Sequence, residues 1–105
     1  MSMDIKKSIS DWVDAHEAEL IEDIKRLVRI RSVREAAAAG APFGAGPRRA
    51  LTEAMEVCEG YGYKTRVYGD CIGTADIAPD LPPRLDILAH LDTVSEGEGW
   101  TFDPF

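Results

Sequence analysis

Leu85-Asp86-Ile87-Leu88-Ala89-His90-Leu91-Asp92-Thr93-Val94 carries both the architecture and the chemistry of this chain. Leu85 to Ala89 is the most apolar of three strand candidates. A short apolar run of this kind reads as a central strand of a sheet, covered on both faces. His90-Leu91-Asp92 follows directly, and in α/β sheets ligands gather at the carboxyl ends of strands. Residues two apart in an extended segment share a face, so His90 and Asp92 point to one side and Leu91 to the other. A neutral imidazole is a good zinc ligand, and a nearby carboxylate can fix its tautomer and orientation. A His-x-Asp spacing also arises by chance, and a lone histidine is more often structural.

Two further strand candidates precede this run. Tyr63 to Tyr68 alternates, with Lys64 and Arg66 on one face. Gly69-Asp70 makes a turn into Gly73 to Ile77, and Asp80-Leu81-Pro82-Pro83 is a loop. Upstream, Leu51, Ala54, Met55 and Cys58 form the stripe of a helix over 47–59, opened by Pro47 and ended by Gly60 and Gly62. The alanine run after Glu35 could extend a helix, but Gly40-Ala41-Pro42 ends it. Further back, Ile5, Ile9, Trp12, Val13, Leu20, Ile21, Ile24, Leu27 and Val28 recur at spacings of three and four, which predicts an amphipathic helix from about Asp4 to Ile30. Unbroken, it would be about 39 Å long, unless Ala15-His16 bends it. The fold class is thus α/β, ordered helix, helix, strand, strand, strand.

Composition narrows the function. The chain has 105 residues, 45% apolar and 30% charged, which supports a packed domain or part of one rather than a disordered segment. It holds no apolar run of about 18 residues and no signal-peptide h-region behind Lys6 and Lys7, so a cytoplasmic location is expected. The net charge of −7 comes from the last third, where Arg84 is the one basic residue among eight acidic ones. Such a field repels nucleic acid and anionic lipid and attracts cations. It reads either as a solvated acidic surface or as a cation site.

Other features have plainer readings. Cys58 and Cys71 lack a C-x-x-C spacing, and Cys58 lies on a helix stripe, so packing is expected rather than a disulfide. His16 reads as packed or exposed. Gly44-Ala45-Gly46 before Arg48 and Arg49 could hold an anion, but it lacks the Lys-Ser/Thr of a phosphate loop and follows no strand, so it reads as a helix start.

The flanks of His90 add a resemblance. Residues 85–94 resemble the first metal-binding signature of the ArgE/DapE/PepV-type metallopeptidases, in which an apolar strand leads to a small residue and then His-x-Asp-(Thr/Val)-Val. Gly97-Glu98-Gly99-Trp100-Thr101 with Asp103-Pro104-Phe105 looks like the family's "GxGW…PF" loop. Leu27 to Val33 looks like its first-helix ending, and Pro42 to Leu51 is similar to the PepV-like dipeptidase branch. Gly62-Tyr63 and Gly73 fit as well, so the resemblance runs through the whole chain in order.

That resemblance implies a co-catalytic zinc hydrolase with an α/β/α sandwich catalytic domain, acting on dipeptides or N-acyl amino acids. Two metals, zinc or alternatively cobalt or manganese, would activate a shared water. Carried over, His90 is a metal ligand and Asp92 the orienting catalytic carboxylate. The family's later "GRG…DDKGP" segment, Glu-Glu pair and final His have no counterpart in these residues, nor do its lid and dimerisation domain. Residues 1–105 are therefore expected to be the N-terminal part of a catalytic domain, inactive alone and at most a weak metal binder, with an incomplete sheet whose edge could drive self-association. The roles of Arg31, Arg48 and Arg49 stay open. The alternative is a short non-catalytic α/β binding or interaction module, flavodoxin-like or ferredoxin-like, with a closed sheet and no metal dependence.

Overall fold

A computed structural model of the protein describes residues 4–83 and 85–105. The first helix, α1, runs unbroken from Ile5 to Val28, with Asp4 as N-cap accepting the Lys7 amide at 3.1 Å. Lys25 and Arg26 in its last turn complement the helix dipole. Ala15-His16 does not bend it: His16 Nδ1 lies 2.7 Å from the Trp12 carbonyl and its ring stacks on Trp12, centroids 4.0 Å apart. The alanines after Glu35 do not continue a helix. Their segment folds back, with Ala38 and Ala41 exchanging backbone hydrogen bonds.

The second helix, α2, spans Ala45–Gly60, so it starts two residues before Pro47. Pro47 is tolerated as the third helical residue because the first amides of a helix have no internal partner. Gly44 caps the start at φ +100°, a backbone state that disfavours a side chain. Gly46 is forced by proximity: a Cβ there would meet the Arg31 carbonyl oxygen at 2.1 Å.

Strands β1 (Lys64–Tyr68) and β2 (Ile72–Asp76) form an antiparallel hairpin in register Lys64 with Asp76 and Tyr68 with Ile72. Gly69 and Asp70 turn it with φ of +56° and +58°. This matches a tight hairpin turn that follows the strand twist. β2 presses on α2 at Gly73, where a Cβ would lie 2.7 Å from Met55 and 2.8 Å from Leu51. Arg26 on α1 pairs with Glu53 and Glu56 on α2 at 2.5 and 2.7 Å, and Tyr61 donates to Asp23. That hydrogen bond pushes the Tyr61 phenol up to about 12.

The third strand is corrected. Leu85 to Ala89 lies in no strand, and Leu85, Ile87 and Leu88 are 80%, 84% and 97% exposed. Its apolar content predicts burial, but a central strand needs hydrogen-bonding neighbours and cover on both faces. Among the described residues β2 pairs only with β1, and nothing covers 85–89. Only further on does the segment find a partner, in a parallel bridge between Val33 and Thr93. The arrangement remains α/β with an incomplete sheet.

Burial is correspondingly small. The buried apolar residues are Ile30, Ala41, Ala50 and Leu51, around the junction of α1, the following loop and α2. The α1 stripe faces outward, from Ile5 at 65% to Ile21 at 42% exposed. A radius of gyration of 16.9 Å exceeds the roughly 13 Å of a compact domain of about this length.

Two glycines should behave oppositely. Gly46→Ala should lower stability by about 1–3 kcal/mol, since backbone must move to admit the methyl group. Gly60→Ala, with open space around its Cβ position, should leave stability unchanged or raise it by up to about 1 kcal/mol. Urea midpoints at constant m-value check both.

Candidate functional site

Ile30-Arg31-Ser32-Val33 leaves α1 in an extended course and meets Leu91-Asp92-Thr93. Ser32, 3% exposed, donates from Oγ to the Leu91 carbonyl at 2.7 Å. Its own carbonyl accepts the Thr93 amide at 3.1 Å. These contacts hold the tripeptide His90-Leu91-Asp92 against the body of the chain, with Leu91 half-buried and His90 and Asp92 exposed. The alternation expected from the sequence is therefore present, without a strand leading into it.

His90 and Asp92 come together. His90 Nδ1 lies 2.9 Å from the Asp92 carbonyl oxygen and 3.3 Å from its carboxylate Oδ1. Both atoms can only accept from the neutral ring, so the contact is a hydrogen bond in the Nδ1–H tautomer. That tautomer leaves Nε2 with its lone pair. Side-chain exposures of 83% and 65% keep the pair open to solvent.

The pair borders a groove of about 670 Å³. Leu51 and Met55 of α2 and Ile72 of β2 line it, and Ile87, Ala89, His90 and Asp92 line it too. A largely apolar groove with a few polar groups is the usual form of a small-ligand site.

Arg31 and Arg48, two of the three arginines left open by sequence, are engaged in the fold. Arg31 Nε donates to both carboxylate oxygens of Glu96 at 3.1 Å, and its NH1 to Glu35 at 3.1 Å. Arg48 donates to Thr52 and lies 3.6 Å from Asp70. Arg49 is exposed, and no contact among the described residues identifies a task for it. Cys58 and Cys71 are free thiols, and burial pushes the half-buried Cys58 thiol up.

Among the described residues no group of three or more His, Cys, Asp or Glu side chains could hold a metal ion. The acidic last third is thus dispersed over the surface here. Sequence reasoning missed Ser32. Its partner lies 59 residues away, and its one signal was its place in the Leu27 to Val33 helix ending.

No family model matches the chain. Curated relatives do. A "Putative dipeptidase" of Staphylococcus haemolyticus is 36% identical over 95 residues, covering 89% of this chain and 20% of that protein. A protein of the same name from Staphylococcus aureus strain USA300 is 38% identical over 95 residues, with the same coverage. Another from Staphylococcus saprophyticus is 38% identical over 97 residues, covering 90% of this chain and 20% of that protein. The chain spans about one fifth of the length of the curated relatives it matches. These similarities support a dipeptidase-type family.

The Arg31 guanidinium holds the Glu96 carboxyl below the usual glutamate range, and Glu96 in turn raises Arg31. A carboxyl lowered by folding contributes stability above its unfolded pKa and loses that contribution as pH falls through its folded one. In a carbon-13 titration the Glu96 midpoint should lie below the ordinary glutamate value, and Arg31→Gln should raise it toward that value.

Proposed function

We propose that these residues are one part of a metal-dependent peptidase catalytic domain acting on amide bonds of dipeptides or N-acyl amino acids. In this reading His90 is a metal ligand through Nε2, and Asp92 is the carboxylate that orients it. The observation that carries the reading is the imidazole held by Asp92 with its second nitrogen open at a groove. The similarity to proteins named dipeptidase supports the reaction class.

Zinc takes four donors in ordinary protein sites. His90 supplies one, and among the described residues no group of three completes a shell. The described residues alone therefore do not fit a full metal centre, and in this reading the other ligands come from further polypeptide. When bound, such metals polarise the scissile carbonyl and make hydroxide available near neutral pH. Zinc suits an imidazole and carboxylate set, with cobalt or manganese as alternatives. The exposed α1 stripe and the uncovered run 85–89 fit a domain completed by further polypeptide.

Two preparations test this. The 105-residue chain, given zinc and a panel of dipeptides, should show no turnover above the metal blank. The product of the same reading frame extended downstream should hydrolyse dipeptides, lose activity to a chelator and regain it with metal. In that product Asp92→Asn should cost roughly 10- to 100-fold, as for residues that orient metal ligands, and His90→Ala at least as much. Robust turnover by the short chain, or chelator-insensitive turnover by the long one, contradicts the proposal.

A further inference from the structure

Ser32 holds the two peptide groups on either side of Asp92. Its hydroxyl donates to the carbonyl of the 91–92 peptide at 2.7 Å, and its carbonyl accepts the amide of the 92–93 peptide at 3.1 Å. The carbonyl of that second peptide is the group that meets His90 Nδ1 at 2.9 Å. A hydrogen-bonded path thus runs from Ser32 through one peptide plane to the imidazole. A peptide unit is rigid, so fixing its amide side fixes its carbonyl side. The hydroxyl is buried and has a partner, which makes both the bond and its direction specific. Arg31, the residue preceding Ser32, pairs with both carboxylate oxygens of Glu96, four residues after Asp92.

We propose that Ser32 is a positioning residue for His90 and Asp92, fixing the peptide planes around Asp92 and through them the Nδ1–H tautomer and orientation of the His90 ring. The inference rests on the reading above, in which His90 offers Nε2 to a metal. It adds a residue of the first helix's exit to the machinery, at a place where a hydroxyl is required rather than merely small volume.

The test uses nitrogen-15 NMR of the chain without metal, at a pH where the imidazole is neutral. Amide exchange at Thr93 reports the clamp, and the imidazole nitrogen shifts of His90 report the tautomer. Amides of α2 and the β1–β2 hairpin serve as internal controls. Ser32→Ala removes the hydroxyl's bond to the Leu91 carbonyl and leaves the Thr93 amide its backbone acceptor, and the loosened clamp should speed Thr93 exchange roughly two- to tenfold. The His90 tautomer should shift toward the Nε2–H form that free imidazole favours. Ser32→Thr, which keeps the hydroxyl, should stay near the parent on both readouts, with the control amides unchanged throughout. Unaltered Thr93 exchange and tautomer in Ser32→Ala would overturn the proposal. So would uniform loosening of the controls, which marks Ser32 as a generic packing residue. Zinc added to the downstream-extended polypeptide separates the two claims. Absence of any response at His90 Nε2 there, with the Ser32→Ala changes intact, counts against the metal assignment and for the clamp.

Discussion

The backbone pairing of Ser32 and Val33 with Leu91 to Thr93 is the contact on which the site's geometry depends. Without it the segment from Leu85 onward has little to rest on, because its apolar side chains are exposed and it pairs with neither strand of the hairpin. With it, one buried serine and one bridge bring the end of the chain to the exit of α1. Arg31 extends the tie to Glu96, and Gly46 lets α2 approach the same junction closely. The small buried cluster of Ile30, Ala41, Ala50 and Leu51 surrounds this point. Structure and chemistry converge there: the residues that anchor the tail also orient the imidazole.

Local signals in the sequence were read well where local physics decides the outcome. The spacing of Ile5 through Val28 specifies α1 whatever lies beside it, and Gly69-Asp70 specifies a tight turn because both adopt positive φ. Pro47 marks a first helical position in the sequence, yet α2 starts two residues ahead of it. The helix begins instead at the glycine cap. The run 85–89 shows the opposite limit. Apolar content reports a demand for burial, and only neighbours in space can meet it. Ser32 was invisible as a functional residue for a related reason. A buried hydrogen bond across 59 residues leaves no periodicity to find.

The candidate site divides the same way. That His90 and Asp92 share one side was legible from their two-residue spacing, and the two are in contact. Their context was not. The apolar residues of α1 and of the run 85–89 are exposed, and the curated relatives are about five times longer than the stretch they share with this chain.

The account is tested most directly by anomalous diffraction at the zinc edge from crystals of the downstream-extended polypeptide. It predicts a zinc ion about 2.0–2.1 Å from His90 Nε2, with Asp92 on the far side of the ring and Ser32 still bonded to Leu91. Zinc bound by other residues, with the nitrogen at position 90 facing only water, would contradict it.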